Sequence, residues 1–284
     1  MSPEDRSTQE ERARRLLELH RPGQPLLLAN AWDAGSARVL ASLGFEALAT
    51  TSSGHAATLG RLDGSVTRDE AIAHAASIVS ATELPVSADL ENCFAEDPEG
   101  VATTVSMAVD AGLAGCSVED YSGDDERPIY PLELATERVS AAAQAAHDGP
   151  ARLVLTARAE NFLHGNPDLD DTIARLQAYE RAGADVLFAP GLTEAGDIER
   201  LVGSLNRPVN VLAVPAAPPV SVLARCGVAR VSVGGAFAFA ALGALVEAAN
   251  ELRDRGTYGY WTRSSTGGKA ARAAFTRGPG SQPV

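Results

Sequence analysis

Acidic and polar side chains recur at the ends of three apolar runs in the middle of this chain. In sequence order they are Ser87, Asp89, Glu91, Glu119, Asp120, Arg158, Glu160 and Asn161. Because side chains alternate along a β-strand, residues two apart share a face, and acids from neighbouring strands can converge beside the arginine. Carboxylates crowded within a few Å cannot all stay ionised without a cation. The pattern therefore predicts a bound divalent metal.

The donor type narrows the choice of metal. The candidate ligands are all oxygens, and no histidine falls at the end of a predicted strand. Oxygen ligands favour Mg²⁺ or Mn²⁺ and disfavour Zn²⁺. An alternative is that some of these acids cap helices or pair with Arg158.

Eight short apolar runs of β-type alternate with segments of helical periodicity. The runs cover 26–32, 47–54, 85–91, 115–120, 153–160, 184–191, 208–214 and 229–235. The clearest helical segments cover 9–20, 68–82, 98–112, 168–183 and 236–256. Near-continuous apolar strands that alternate with helices indicate a parallel sheet. We expect an α/β fold, a closed (β/α)₈ TIM barrel over 1–256, with a doubly wound sheet as the alternative.

A weak internal repeat supports this organisation. Gly44, Gly112, Gly183 and Gly227 each stand where a helix must end in a left-handed turn before the next strand. Beyond the apolar helix 236–256, the segment 257–284 is rich in glycine, aromatic and basic residues. We expect this tail to pack in an oligomer or to be disordered.

Composition excludes several classes of function. The 24 basic residues against 37 acidic ones give a net charge of −13, which disfavours nucleic-acid and membrane partners. The only lysine, Lys269, lies in the tail, so Schiff-base and PLP chemistry is not expected. Neither a dinucleotide-binding glycine motif nor a Walker A motif occurs. Three isolated cysteines and a charged N-terminus lead us to expect a cytoplasmic protein.

Several motifs together resemble the phosphoenolpyruvate mutase and isocitrate lyase superfamily, in particular its 2-methylisocitrate lyase-like and oxaloacetate decarboxylase-like branch. They read LLLANAWDAGSARVLASLGFEALATTSSG, LGRLDG, PVSADLE, GCSVED and LTARAENF. The resemblance implies a Mg²⁺-binding barrel that acts on small 2-oxo or 2-hydroxy acids. It also implies a homo-oligomer, a dimer or tetramer, in which the last helix is exchanged between subunits.

The resemblance also implies roles for individual residues. Asp89 and Glu119 would bind the metal, with Glu91 compensating for Ser87, which stands where the family has another aspartate. Arg158, Glu119 and Asp63 would be catalytic. Substrate contacts would come from Trp32, Thr51, Ser52, Ser53, Gly54, Arg158 and Asn161.

One segment departs from the family pattern. The segment 121–131 reads YSGDDERPIYP and lacks the K-[KR]-C-G-H loop of the C–C lyases and the gating loop of the mutases. We still expect a Mg²⁺-dependent carbon–carbon lyase or decarboxylase that forms a pyruvate enolate, with 121–131 as a lid. The alternatives are a P–C bond mutase or hydrolase, with phosphate at Gly234 and Gly235, and an inactive carboxylate-binding barrel. His55 and His164 could shuttle protons, whereas Cys93 is expected to be packing.

Overall fold

Eight parallel strands form a closed barrel in the computed structural model, which describes residues 3–149 and 151–276, with side chains from Thr8 onward. Each strand pairs with the next along the chain, and the eighth pairs with the first. The strands are β1 (Leu26–Asn30), β2 (Leu48–Ala49), β3 (Val86–Ala88), β4 (Gly115–Glu119), β5 (Val154–Arg158), β6 (Val186–Phe188), β7 (Val209–Leu212) and β8 (Arg230–Ser232). The predicted (β/α)₈ barrel is confirmed.

Helices separate the strands and cover the outside of the barrel. They are α1 (Pro3–Glu18), α2 (Ala34–Ser42), α3 (Ser52–Thr58), α4 (Arg68–Ala81), α5 (Pro98–Asp110), α6 (Leu132–His147), α7 (Leu169–Arg181), α8 (Ala195–Gly203), α9 (Val220–Arg225), α10 (Ala236–Arg255) and α11 (Trp261–Phe275). The five predicted helical segments are all present. The strand predicted over 47–54 is too long, because Thr51 caps α3 and residues from Ser52 onward are helical.

The four glycines of the internal repeat have the predicted conformation. Their φ angles are +90° at Gly44, +81° at Gly112, +110° at Gly183 and +82° at Gly227. Each follows the end of a helix, so the left-handed residue turns the chain back toward the next strand. The internal repeat therefore reflects one turn geometry that recurs at four helix ends.

Two groups of buried apolar residues hold the barrel together. The larger lies between the strands and the surrounding helices. The smaller fills the bottom of the barrel, where Leu16 of α1 packs with Leu26, Leu28, Val154 and Val186. Helix α1 therefore closes the end of the barrel opposite to the carboxyl ends of the strands.

Gly115 marks a tight contact at this closed end. A Cβ atom there would lie 2.8 Å from the Val154 carbonyl oxygen and 3.0 Å from Leu16 Cδ2. We expect Gly115→Ala to lower the free energy of unfolding by about 1–3 kcal/mol, because overpacking displaces a strand or α1. Urea unfolding measures this. The control is Gly196→Ala in α8, where an added Cβ meets no atom within 4 Å; there we expect unchanged or slightly higher stability.

The C-terminal helices leave much apolar surface open. In α10, Phe239 is 51% exposed, Leu245 63% and Val246 57%, and Trp261 at the start of α11 is 61% exposed. Helix α11 packs against α2 of the same chain. Among the described helices, none is long and apolar enough to cross a membrane. The exchange of this region between subunits remains a prediction, and residues 277–284 of the predicted tail lie outside the described residues.

Candidate functional site

A cavity of about 520 Å³ opens at the carboxyl ends of the strands and continues into the barrel interior. Its lining follows the two-residue alternation of the strands. The alternating pairs are Leu28 and Asn30, Ser87 and Asp89, Ser117 and Glu119, Thr156 and Arg158, Asn210 and Leu212, and Arg230 and Ser232. Barrel interiors are usually filled by bulky branched side chains. Here small and polar side chains leave space for a ligand.

Arg158 stands at the centre of the acidic groups. Its Nη1 lies 3.1 Å from Asp89 Oδ1, its Nη2 lies 3.1 Å from Glu119 Oε2, and its Nε lies 2.7 Å from Glu160 Oε1. All three acids are mostly buried, so water screens these charges weakly. The second oxygen of Asp89 accepts a hydrogen bond from the Ser52 backbone N–H at 3.1 Å. The predicted convergence of strand-end carboxylates beside one arginine is thus present.

Glu91 lines the same cavity, but the strand alternation that was predicted to place it there does not apply. Strand β3 ends at Ala88, and Glu91 has a φ of +50°, so strand alternation does not extend to it. Cys93 and Phe94 are also left-handed, with φ angles of +59° and +53°. The buried Arg138 donates hydrogen bonds to three backbone carbonyls of this loop, those of Asn92, Ala95 and Glu96. These bonds stabilise a conformation that non-glycine residues rarely adopt.

The acidic cluster carries more negative than positive charge. The carboxylates that line the cavity belong to Asp63, Asp89, Glu91, Glu119 and Glu160, and the guanidinium groups belong to Arg158 and Arg230. If all seven groups are ionised, three negative charges are left over. Burial raises the pKa of Glu119 well above its ordinary value, against the opposing charge of Arg158. Burial, followed by the charges of Asp89 and Asp63, raises the pKa of Glu91 to about 7.

This excess charge fits a divalent cation that prefers oxygen ligands. Within 3–149 and 151–276, no three Asp, Glu, His or Cys side chains already form a coordinating group, because three of the acids pair with Arg158. Mg²⁺ commonly uses only one or two carboxylates and keeps several waters. Asp89, Glu91 and Glu119 are therefore the residues that would hold Mg²⁺ or Mn²⁺.

The raised pKa of Glu91 predicts a measurable pH dependence. The folded protein holds this proton up to about pH 7, whereas the unfolded chain releases it near its ordinary pKa of 4.5. Glu91 therefore contributes stability below pH 4.5, and this contribution is lost as the pH rises through 7. In EDTA, we expect wild type to lose up to about 3 kcal/mol relative to Glu91→Gln between pH 4.5 and 8.

Urea unfolding at several pH values checks this prediction. Glu96→Gln is the matched control, because Glu96 belongs to the same loop but is exposed to solvent. Its stability should follow that of wild type at every pH. Parallel curves for wild type and Glu91→Gln would contradict the assignment.

Some of the other predicted site residues line the cavity, and the rest do not. Those in its lining are Thr51, Ser52, Ser53 and Asp63, together with the histidine His164. Those outside the lining are Trp32, Gly54 and Asn161. The amide of Asn161 donates to Asp171 of α7 at 2.5 Å, so its side chain lies on the outer side of β5. The chain turns at Asp33, the N-cap of α2, and Trp32 is not carried to the cavity.

Three further residues that the sequence singled out, Asp120, Cys93 and His55, lie outside the lining of the main cavity. Asp120 accepts hydrogen bonds from the Tyr179 hydroxyl at 2.5 Å and from the Glu160 N–H at 2.8 Å, so it supports the site from behind. Cys93 is fully buried, and burial raises the pKa of its thiol to about 12, as expected for a packing residue. His55 stacks on His74 with ring centroids 3.8 Å apart, beside the main cavity.

The sequence interpretation missed the polar floor of the cavity. Arg230 is 4% exposed and donates to Asn210 Oδ1 at 3.0 Å, Thr156 Oγ1 at 3.2 Å and His20 Nε2 at 3.2 Å. Burial and the charge of Arg158 lower the pKa of Arg230 to about 9. A signal was present, because Asn210 and Arg230 interrupt apolar strands at inward-facing positions.

Two backbone N–H groups that follow β8 are already paired with a side chain. Asn30 Oδ1 accepts hydrogen bonds from the N–H groups of Val233 at 3.1 Å and Gly234 at 3.0 Å. A Cβ atom on Gly235 would lie 2.5 Å from Ser53 Oγ, so this glycine permits close packing. Gly235 thus has a packing role, whereas Gly234 has a φ of +54°, and both observations give these glycines a structural reason that needs no phosphate.

Proteins with named activities resemble this chain. Oxaloacetate decarboxylase 1 of Pseudomonas putida (strain W619) is 29% identical over 79% of each chain. The 2-methylisocitrate lyase of Escherichia coli (strain K12) is 29% identical over 68% of this chain and 70% of its own length.

Solved structures share the fold. A candidate lyase/mutase from Burkholderia cenocepacia J2315 is 47% identical, with a TM-score of 0.91 over 96% of this chain and 98% of its own. A phosphonopyruvate hydrolase solved with oxalate and Mg²⁺ is 22% identical, with a TM-score of 0.77 over 94% of this chain and 98% of its own, which shows a common fold. The family model described as phosphoenolpyruvate phosphomutase matches residues 16–253. With its closed barrel and its acidic cluster around Arg158, the chain therefore belongs to the phosphoenolpyruvate mutase family of the phosphoenolpyruvate mutase/isocitrate lyase superfamily.

Proposed function

We propose that this protein is a Mg²⁺- or Mn²⁺-dependent lyase for a small 2-oxo or 2-hydroxy carboxylic acid. It would break a C–C bond, by cleavage or by decarboxylation of an oxaloacetate-type substrate, and form a pyruvate-type enolate. The observation that carries this proposal is that five carboxylates and two guanidinium groups line one cavity. The activities in the names of the relatives, a decarboxylase and a lyase, agree with it.

Asp89, Glu119 and Glu91 would hold the metal. When bound, the metal supplies a Lewis acid that stabilises negative charge as it develops on the 2-oxo oxygen. The positive charge of Arg158 orients the carboxylate of the substrate in the weakly screened cavity. The hydroxyl groups of Ser52 and Ser53 line the same wall and can donate hydrogen bonds to that carboxylate.

Apolar side chains complete the cavity. Phe188 lies beneath the guanidinium of Arg158, with 5.2 Å between Cζ and the ring centroid. Leu212 and Leu163 also line the cavity. These groups reduce the water around a bound enolate, which strengthens its electrostatic interactions with the protein.

The test is an assay on a panel of acids. Oxaloacetate, 2-methylisocitrate and phosphonopyruvate are each incubated with the protein in Mg²⁺ or in EDTA, and pyruvate, phosphate and the second carbon product are measured. We expect pyruvate without phosphate from a C–C substrate, only when Mg²⁺ is present. Turnover that persists in EDTA would exclude metal dependence.

Two other results would overturn the C–C assignment. Phosphate release from phosphonopyruvate would assign P–C cleavage. Tight binding of oxalate without turnover of any acid would identify a binding protein that has lost catalysis.

A further inference from the structure

The proposed reaction needs a proton donor that the site description has not supplied. Decarboxylation of an oxaloacetate-type acid leaves the enolate of the keto-acid product, whereas retro-aldol cleavage leaves an enolate on the fragment that does not become the carbonyl product. In both cases the enolate carbon must be protonated to complete that product. The cysteine loop of the related C–C lyases is absent from 121–131. Cys93 and Cys116 are buried away from the cavity lining. The inference below rests on the proposed function and concerns this missing donor.

A stacked pair of rings lies in the cavity lining. Tyr121 and His164 have ring centroids 3.8 Å apart and an interplanar angle of 7°. Tyr121 comes two residues after Glu119, and His164 lies in the turn that follows β5 and Arg158. Both rings therefore sit on the rim formed by the same two strands that supply Glu119 and Arg158.

Backbone hydrogen bonds hold the main chain at both His164 and Tyr121. The N–H of His164 donates to the carbonyls of Glu160 and Asn161, each at 3.2 Å. On the other side, Tyr121 forms an antiparallel bridge with Ile129, which closes the 121–131 loop on itself. The stacked pair thus adds a contact between the loops that follow β4 and β5.

The two rings differ in their capacity to deliver a proton. The Tyr121 hydroxyl donates a hydrogen bond to Asp125 Oδ1 at 3.4 Å. Imidazole normally titrates near neutral pH. Burial lowers the pKa of His164, the charges of Asp120 and Asp125 oppose this effect, and the charge of Arg158 adds to it. A bound carboxylic acid would add to their negative charge and favour the protonated ring.

We propose that His164 is the catalytic acid that protonates the enolate carbon, and that Tyr121 is a positioning residue that holds its ring over the cavity. An N–H bond of the imidazolium breaks, and the electron pair of the enolate C=C forms the new C–H bond. The C–O bond at C2 becomes a carbonyl again. The imidazole is left neutral and takes a proton from water before the next turnover.

Variants that keep the stacked rings separate the two roles. His164→Phe retains an aromatic ring without a transferable proton, and Tyr121→Phe retains the ring without the hydroxyl. Tyr121→Ala removes the stack. Glu126→Gln is the control, because Glu126 is an exposed residue of the same loop outside the cavity lining.

The assay uses the acid that wild type turns over, and substrate loss and keto-acid formation are followed separately. For His164→Phe we expect kcat to fall about 10²–10⁴-fold. Where that acid is decarboxylated, we also expect a lag between substrate loss and keto-acid formation, because the enol leaves the site and ketonises in solution. Oxalate binding should stay within about threefold of wild type, since oxalate needs no proton. Tyr121→Ala should lower kcat at unchanged KM, and Tyr121→Phe should lower it less, because the ring is retained. Glu126→Gln should resemble wild type.

Several outcomes would overturn the inference. A His164→Phe variant with wild-type kcat and no lag would exclude His164, and a loss confined to Tyr121→Phe would assign the phenol instead. The same lag in Glu91→Gln alone would assign Glu91. A wild type that turns over no acid would overturn the proposed function itself, and with it this inference, whereas an active wild type with an unaffected His164→Phe overturns the inference alone.

Discussion

Arg158→Lys is expected to reduce kcat/KM for the active 2-oxo or 2-hydroxy acid by about 10²–10³-fold. Arginine uses three nitrogens at once, toward Asp89, Glu119 and Glu160. The lysine ammonium is a single point with no planar fork, so it cannot keep all three carboxylates in place and orient a substrate carboxylate as well. Steady-state kinetics and calorimetric binding of oxalate measure the two losses.

Removal of the charge at this position should also affect folding. Arg158→Met leaves three mostly buried carboxylates without their shared partner, and we expect the free energy of unfolding to fall by about 3–5 kcal/mol in EDTA. Arg127→Lys is the control, because Arg127 is exposed and pairs with Asp124 across 3.4 Å. An Arg158→Lys enzyme with turnover within threefold of wild type would show that the arginine does not orient the substrate.

Asp89→Asn is expected to abolish the stabilisation of the protein by Mg²⁺. At a Mg²⁺ concentration 100 times its Kd, wild type should gain about 2.7 kcal/mol of stability. Asparagine has nearly the shape of aspartate and keeps one acceptor oxygen, but it removes one of the carboxylates that would hold the ion. Turnover should fall at least about 10²-fold at the same Mg²⁺ concentration.

Unfolding in urea with increasing Mg²⁺ tests this directly and does not depend on knowing the substrate. Asp69→Asn, a change at an exposed acid at the start of α4, should keep the full Mg²⁺ response. If Asp89→Asn responds to Mg²⁺ like wild type, Asp89 does not hold the ion.

The strands were predictable because each is a continuous apolar run that ends near a glycine or a polar residue. Helix α3 was not, since SSGHAAT has weak helix propensity and depends on the cap that Thr51 provides. Helix α11 was hidden for a related reason, because Gly267 and Gly268 lie in its middle. In both segments, contacts within the fold outweigh local preference.

The positions of the site residues were predictable where strand alternation determines which side chains face the cavity. Arg158 and Glu119 lie on paired residues of β5 and β4, so alternation alone brings their side chains together. Asn161 lies beyond the end of β5, where alternation no longer applies, and its amide bonds to Asp171. Neither the stacking of Tyr121 on His164 nor the left-handed turn at Glu91 has a local sequence signature, because both depend on loops that other elements hold in place.

Helix α6 affects the acidic cluster indirectly, through the loop of left-handed residues that carries Glu91. Arg138 of α6 is not part of the cavity lining, yet its guanidinium holds the loop backbone that follows Glu91. Glycine at position 93 would adopt the same turn without steric cost, but it would also allow other conformations. If the proposed metal site is present, laboratory evolution could adjust its selectivity among divalent ions through the outer helical layer, with every proposed ligand residue left unchanged.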